Sequence, residues 1–391
     1  MRPVHVVHII TKLELGGAQQ NTLFTIAHLD RDRFRPYLIT NSEGILVSEA
    51  RALKGVKTFF IPELIREISP LMDVKALFRI KGILQGIKKD DSPMIVHTHS
   101  SKAGILGRWG ARFARADAVI HTIHGFGFHD YQPLPIRIFL IFLEKVTARI
   151  TDMFIAVSQA NIKKGVDSGI FPKRKTTLIR SGIELEEFTQ GKVKQAEKKK
   201  ALGFEPALPL ITMIGCLKPQ KAPLDYVEVA HKVLQKKEAC FILVGDGELR
   251  EKIEKKAVQL GLGKERLKLL GWRRDIPGIL AATDIFCLTS LWEGLPRVLP
   301  QAMALGIPIV ATNVDGTPEA VIHNVNGFVT KPRDTKAMAE RIIYLLDNSQ
   351  EAKMMGKQGK KMVREFDIRR MVREQEDLYL KLLRKKERGV S

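Results

Sequence analysis

The chain is 391 residues long, which suits two ordinary domains, each able to bury its own core. Its composition, 45% hydrophobic and 27% charged, is typical of a folded globular protein and excludes a disordered chain. The formal net charge of +21 is spread over both halves of the chain. Such a charge favours an anionic substrate, an anionic membrane or nucleic acid, without choosing among them.

The sequence shows no secretory signal and no membrane span. His5 and His8 interrupt the first apolar run, and the charge-free run 298–314 contains Pro and Gly, so it is typical of a helix followed by a buried strand. The three cysteines are far apart, lack disulfide or metal-ligand spacing, and are predicted to be reduced. These features predict a cytoplasmic protein, either free or peripheral on the inner face of the membrane.

Short β-branched runs alternate with helical stretches along almost the whole chain. Strands are predicted at 4–10, 35–40, 56–61, 94–98, 118–123 and 153–157, and then at 210–214, 241–244, 267–270, 285–288 and 309–312. Continuous apolar runs separated by helices indicate parallel sheets buried on both faces. The polar stretch 184–200 predicts an interdomain linker with a solvated helix.

We therefore predict an α/β protein of two doubly wound domains, 1–187 and 201–370. The charged, Leu-containing segment 371–391 predicts an amphipathic helix that packs back on the first domain. Ligands of such sheets bind at the carboxyl ends of the strands, so two Rossmann-like domains can face a central cleft.

The first candidate site is the pair Gly16-Gly17, which lies between the first strand and a helical stretch. Two glycines at a helix start let backbone N–H groups approach an anion closely. A plain tight turn is the simpler interpretation of an isolated pair. A dinucleotide fingerprint is absent, which argues against a nicotinamide or flavin domain.

The second candidate is a loop with two lysines, Lys218 and Lys221, after the strand at 210–214. Lysines at a strand's carboxyl end can neutralise a diphosphate leaving group. Solvated surface lysines are the alternative interpretation.

The third candidate is the most specific, the segment from Ser290 through Glu293-Gly294-Leu295 to Gln301. A strand leads into a loop, and Pro296 suits the first position of a helix that carries Gln301. Glu293 and Gln301 can bond sugar hydroxyls, while N–H groups around Gly294 and Leu295 face an anion.

With these residues in place, the chain resembles the retaining glycosyltransferases of family four, which have the GT-B fold. The signature of that family is a Glu, seven intervening residues and a second Glu, and it is similar to 293–301 here. The resemblance extends in order over nearly the whole chain. It includes 16–17, 121–125, 156–158, 245–247, Gly271 and Asp275.

The resemblance implies roles for individual residues of this sequence. Glu293 is expected to bind sugar hydroxyls, Lys221 the diphosphate, and His124 the sugar in the cleft. The expected donor-binding residues are Gly16, Gly17, Lys218, Lys221, Trp272, Arg273, Glu293, Gly294, Leu295 and Gln301. The expected catalytic residues are His124, Lys221 and Glu293.

Two positions depart from the family pattern. The second glutamate of the signature is Gln301, so a charged contact to the ribose becomes an amide contact. The arginine that usually precedes the lysine loop is Cys216, which leaves Lys218 as its substitute without the bidentate fork of arginine. The resemblance implies that the leaving phosphate accepts the acceptor's proton, and that neither a metal nor another cofactor takes part.

Two metal-like patterns have simpler explanations. The histidines between His97 and His129 are interpreted mainly as hydrogen-bonded core or cleft residues, although His97 and His99 share a strand face. Asp30-Arg31-Asp32 has the form of a D-x-D metal motif but lies among arginines, which predicts a solvated turn.

The apolar and basic stretch 133–149 has two interpretations. A buried helix is slightly favoured, and the alternative is a helix that docks on anionic lipid beside a lipid-linked acceptor. The region 64–89 raises the same question.

The sequence thus predicts a metal-independent hexosyl- or N-acetylhexosaminyltransferase. Its predicted partners are a nucleotide-sugar donor, a lipid-linked or other glycan acceptor of the cell envelope, and an anionic membrane. The competing functions are an epimerase on the same fold and a non-catalytic nucleotide-sugar-binding protein. Nucleic-acid binding is not expected, because no basic and aromatic stripe is present.

Overall fold

A computed structural model of the chain describes residues 2–188 and 195–387. These residues form two compact units. The first unit contains the described residues through Gly182 and those from Ile368 onward, and the second is Ile183–Asp367.

The strands, in chain order, are β1 (Val4–Ile9), β2 (Phe34–Thr40), β3 (Lys57–Phe60), β4 (Met94–His99), β5 (Ala118–Ile123), β6 (Met153–Ala156), β7 (Thr176–Leu178), β8 (Leu210–Ile214), β9 (Cys240–Val244), β10 (Leu267–Leu269), β11 (Ile285–Leu288), β12 (Ile309–Thr312) and β13 (Gly327–Thr330). The helices are α1 (Gly17–His28), α2 (Val47–Ala52), α3 (Pro70–Ile87), α4 (Ser101–Phe113), α5 (Leu134–Ala148), α6 (Gln159–Asp167), α7 (Gln195–Ala201), α8 (Pro223–Leu234), α9 (Arg250–Gln259), α10 (Ile276–Ala282), α11 (Val298–Ala304), α12 (Thr317–Ala320), α13 (Thr335–Asp347), α14 (Ser349–Met362) and α15 (Ile368–Glu387).

The first unit is built on a parallel sheet with the strand order β3-β2-β1-β4-β5-β6-β7. β1, β4 and β5 are buried along their whole length because helices cover both faces. Apolar residues of α3 and α4 pack on one face, and α15 packs on the other. The strand order reverses between β1 and β4, which is where doubly wound sheets bind ligands.

The second unit has a parallel sheet with the order β10-β9-β8-β11-β12-β13. Its central strands β8, β9, β11 and β12 are fully buried, as their continuous apolar sequences predict. The predicted strands are confirmed, with ends that shift by a residue or so. β7 and β13, which have only three and four residues, were not predicted.

The segment 184–200 belongs to the second unit and is not the predicted interdomain linker. Ile183 N donates a 2.8 Å hydrogen bond to Phe366 O, so the second unit begins there rather than at 201. Lys199 of α7 is buried, with its Nζ 2.7 Å from Asp284 Oδ2, which attaches α7 to the second unit. The prediction of a solvated helix is confirmed for α7, in which Lys199 is the one buried residue, and residues 189–194 lie outside the described residues.

The C-terminal helix α15 begins at Ile368 and belongs to the first unit. Tyr379 and Leu382 join the core around Val6 and Ile120, which covers the face of the sheet opposite α3. The last residues of the predicted segment, 388–391, lie outside the described residues.

The slightly favoured interpretation of 133–149 as a buried helix is wrong. Buried side chains in α5 are confined to its last turns, at Glu144, Thr147 and Ala148. Phe139 and Phe142, by contrast, are 51% and 59% exposed. The helix has more apolar positions than one packing face can cover, so part of its apolar surface remains outside.

Among the described residues, no helix combines the length and the apolar character needed to cross a bilayer. The three cysteines are free thiols, as predicted, and Cys240 and Cys287 are buried.

Candidate active site

Three glycine turns meet at the carboxyl edge of the second sheet, after β8, β9 and β10. Gly245 has a φ of +127°, and a Cβ at this position would lie 2.1 Å from Gly215 O. Gly245 N also donates a 2.9 Å hydrogen bond to Gly271 O. The absence of side chains therefore lets three loops pack directly against one another at this edge.

The two-lysine loop leaves β8 at the same edge. Its short turn, Pro219–Lys221, is followed by Ala222 in a left-handed conformation, with φ +44°, and by α8. Thr289, at the end of β11, donates hydrogen bonds to the carbonyls of Lys221 (2.8 Å) and Ala222 (3.0 Å). The neighbouring strand thus fixes the backbone that carries Lys221.

The sequence motif and the lysine loop meet in an ion pair between Lys221 Nζ and Glu293 Oε1. Ser290 Oγ donates a 2.6 Å hydrogen bond to the same carboxylate oxygen. Asp315 Oδ2 accepts a 2.7 Å hydrogen bond from Glu293 N, which fixes the backbone. The side chains of Lys221 and Glu293 are only 14% and 6% exposed, so this pair is shielded from water and held rigidly.

The rest of the motif loop is held by its backbone. Gly294 O accepts a 3.1 Å hydrogen bond from Gly316 N, and Leu295 is buried. The helix α11 begins at Val298, so the prediction that Pro296 occupies its first position is wrong. A turn closed by Leu299 N and Pro296 O precedes the helix, and Gln301 lies half-buried within it.

Trp272 and Arg273 follow Gly271 on the exposed part of this edge. Trp272 is 43% exposed, and Arg273 forms an ion pair with Asp275 (Nε–Oδ1 2.7 Å). That hydrogen bond raises the pKa of Arg273 and lowers the pKa of Asp275. The guanidinium is therefore held by its own loop rather than in contact with Glu293.

Ser290 and Arg297 lie within the third candidate segment, but sequence reasoning gave them no role, and it did not select Asp315 at all. Burial lowers the pKa of Arg297 to about 10, although Glu184 and Glu187 oppose the shift. Arg297 therefore remains a cation at neutral pH, beside the motif loop. Glu184 and Glu187, the acidic residues that act on Arg297, lie in the segment that was interpreted as a linker.

In the first unit, histidines gather at the carboxyl ends of β1, β4 and β5. His8 Nδ1 lies 3.0 Å from His99 Nε2, and His99 Nδ1 lies 3.1 Å from His124 Nε2. His124 directly follows β5, at the carboxyl edge of this sheet. Gly16 and Gly17 begin α1 at the same edge, with no side-chain cap and no acidic residue in the first turn.

Nitrogen atoms of His8, His97 and His99 lie within 4.8 Å of one another, which is close enough for a metal ion. Most of these nitrogen atoms already have a hydrogen-bonding partner. In His97, Nδ1 lies 2.6 Å from Tyr379 OH, and Nε2 lies 2.6 Å from Thr122 Oγ1. The cluster fits the predicted hydrogen-bonded core better than a set of ligands.

Because these histidines are buried, we expect the first unit to lose stability in acid. Burial lowers the pKa of His8 to about 3, and it also holds the pKa values of His97, His99 and His121 well below 6.5. The unfolded chain binds protons below about pH 6.5, whereas the folded chain does not. Above that pH these histidines do not lower the free energy of unfolding. Below it, each histidine lowers the free energy of unfolding by up to about 1.4 kcal/mol per pH unit.

Urea unfolding from pH 7.5 to pH 5, followed by the fluorescence of Trp109 with Trp272 and Trp292 replaced by Phe, measures this effect in the first unit. We expect the unfolding midpoint to fall steadily below pH 6.5. A midpoint that does not change over this range would contradict the prediction.

Asp30-Arg31-Asp32 forms the predicted turn. It follows α1, and Asp32 N donates a 3.0 Å hydrogen bond to Asp30 Oδ1. The turn lies at the amino edge of the first sheet, away from the carboxyl edge that carries His124.

Comparison with known proteins decides the family. Residues 15–187 match the model described as Glycosyltransferase Family 4, and residues 194–362 match the model described as Glycosyl transferases group 1. The chain is 33% identical, over 97% of both sequences, to UDP-Gal:alpha-D-GlcNAc-diphosphoundecaprenol alpha-1,3-galactosyltransferase of Escherichia coli. This chain belongs to the family four glycosyltransferases.

Solved structures agree with this glycosyltransferase in fold. A glycosyltransferase from Rickettsia africae has a TM-score of 0.81 at 20% identity, covering 98% of this chain and 99% of the other. Anabaena HepE, in complex with UDP and glucose, also has a TM-score of 0.81 at 20% identity, covering 96% and 99%. The two parallel-sheet units are those of the GT-B fold.

The predicted site residues of this glycosyltransferase fall into two sets. Gly16, Gly17 and His124 lie at the carboxyl edge of the first sheet. The others belong to the second unit, where Lys221 and Glu293 are in direct contact.

Proposed function

We propose that this glycosyltransferase transfers a hexose from a uridine-diphosphate sugar to a lipid-linked diphosphate acceptor, with retention and without a metal ion. The buried pair of Lys221 and Glu293 supports the proposal most strongly. The Escherichia coli relative uses UDP-Gal and an undecaprenol-linked acceptor. A Campylobacter jejuni relative, 26% identical over 72% of this chain and 74% of its own, acts on a diphospho-undecaprenol sugar. The setting that we propose is polysaccharide synthesis at the inner face of the cell membrane, without a nucleic-acid partner.

The residues of the second unit suit the chemistry of a departing diphosphate. The Lys221 ammonium supplies positive charge in a shielded site, where it stabilises developing negative charge strongly. Glu293 accepts hydrogen bonds from sugar hydroxyls with the carboxylate oxygen that Ser290 and Lys221 leave available. The bond from the anomeric carbon to the phosphate oxygen breaks as the acceptor oxygen bonds that carbon, and the acceptor proton passes to the phosphate.

A donor panel tests this function. The purified enzyme is incubated with UDP-, GDP- and ADP-hexoses and a short-chain polyprenyl-diphosphate N-acetylglucosamine, with and without EDTA. We expect release of UDP from UDP-galactose or another UDP-hexose at a rate that EDTA does not change. An α-linked product by NMR would support retention, and a β-linked product would overturn it.

The same assay separates the competing functions. Interconversion of UDP-sugars without release of UDP would indicate an epimerase. Donor binding by calorimetry, with no turnover in the presence of the lipid-linked acceptor, would indicate a non-catalytic binding protein.

A further inference from the structure

We propose that the first unit docks on an anionic lipid bilayer through the exposed apolar residues at the start of α3 and α5. This docking face is defined by the exposed side chains from Leu71 to Phe78 in α3 and from Leu134 to Phe142 in α5. The lipid-linked acceptor gives the face its purpose, and to that extent the inference rests on the proposed function.

The α5 part of the docking face is a continuous exposed stripe. Leu134, Ile138 and Phe142 repeat every fourth residue, and their exposed fractions are 64%, 56% and 59%. Residues at this spacing lie on one side of a helix. Tyr131, in the preceding loop, is 50% exposed and suits the boundary between lipid and water.

The α3 part has the same construction. Leu71, Val74 and Phe78 share one side of the helix and are 65%, 51% and 61% exposed. Ala76, Ile80 and Leu84 occupy the opposite side and are fully buried against the sheet. One side of α3 therefore packs in the core of the unit, and the exposed apolar residues on the other side take no part in that packing.

The two parts lie at the same edge of the first unit. β3 and β5 run parallel in one sheet, so the helices that follow them both begin at its carboxyl edge. The start of α4 lies between them, because Lys102 forms an ion pair with Asp73 of α3 at 2.5 Å. On its other side, a Cβ at Gly127 would lie 2.6 Å from Ser101 Oγ. His124 lies at this edge as well, so a bound membrane would present a lipid-linked acceptor close to it.

Basic residues on the same helices indicate that the docking face binds an anionic bilayer. Lys145 and Arg149 continue the exposed side of α5 beyond Phe142 and lie about 5 and 10 Å farther along the helix. Lys75 is exposed beside Leu71 and Phe78 in α3. The apolar side chains would contact the acyl chains, and the basic side chains beyond them would contact the lipid phosphates. Such helices usually enter the bilayer to a depth of about 5–10 Å. A second copy would bring like charges together, which disfavours self-association.

Co-sedimentation with vesicles tests the docking face on the whole chain. We expect binding to phosphatidylcholine–phosphatidylglycerol vesicles and at least about tenfold weaker binding to phosphatidylcholine alone, since each basic residue adds to the attraction. Phe139→Ser with Phe142→Ser, and separately Lys145→Glu with Arg149→Glu, should each weaken binding to the anionic vesicles about tenfold or more. Val258→Ser and Lys252→Glu with Lys255→Glu are matched controls, because these exposed α9 residues lie in the second unit.

Equal binding by the α5 variants and their controls, or no binding by the wild type, would overturn the docking face. So would a dimer in sedimentation equilibrium that the Phe139 and Phe142 substitutions dissociate, because the occupant would then be a second copy. Transfer to a water-soluble short-chain acceptor should be unchanged in the α5 variants. Vesicle binding without any transfer would disprove the proposed function and leave the docking face standing.

Discussion

Glu293→Gln should lower kcat/KM for sugar transfer by about 10²–10³-fold while the protein remains folded. The substitution keeps the shape of the side chain but removes the negative charge beside the Lys221 ammonium. Lys221 then remains in a shielded site without its counter-charge, and the sugar hydroxyls lose a charged acceptor. The measurement is the initial rate of UDP release over a range of donor concentrations.

Matched variants make this result specific. Glu340→Gln removes an exposed carboxylate from α13 of the same unit and should change neither the rate nor the melting temperature. Lys221→Met should cause a loss similar to that of Glu293→Gln, and the double variant should lose little more, because the two residues act as one unit. Activity of Glu293→Gln within about threefold of wild type would exclude the role that we assign to the charge.

Glu144→Leu should lower the free energy of unfolding of the first unit by about 3–5 kcal/mol. Arg108 is completely buried, and its Nη2 lies 2.7 Å from Glu144 Oε2. Arg108 Nε also donates a 2.8 Å hydrogen bond to Gly104 O. Removal of Glu144 leaves a buried guanidinium without a counter-charge, which is far more costly than the loss of an exposed pair.

Urea unfolding followed by Trp109 fluorescence measures this loss. The double variant Arg108→Met with Glu144→Leu should recover most of the stability, because no unpaired charge then remains buried. Asp167→Asn removes the exposed pair with Lys163 and should change stability by less than about 1 kcal/mol. A double variant no more stable than Glu144→Leu would show that packing, rather than charge, explains the effect.

Helix burial was the least predictable feature of the fold. The pattern of 133–149 shows an apolar helix with basic residues, but apolar side chains on several sides of a helix do not reveal which side the sheet covers. In the structure, the start of α5 lies at the edge of the sheet, and its apolar side chains extend beyond the core. The polarity of 184–200 predicted the exposure of α7 correctly, but it did not reveal that Lys199 is buried and forms an ion pair with Asp284.

The sequence by itself determined the two parallel sheets and the motif that places Glu293 after β11. Both are local properties, because continuous apolar runs make buried parallel strands and a strand–loop–helix pattern needs only neighbouring residues. Only the tertiary structure decided which side chains meet. Lys221 and Glu293 are 72 residues apart, and His97 and Tyr379 are 282 residues apart. Their contacts depend on which strands become neighbours and on the helix α15 that returns to the first sheet, and no local pattern encodes those distances.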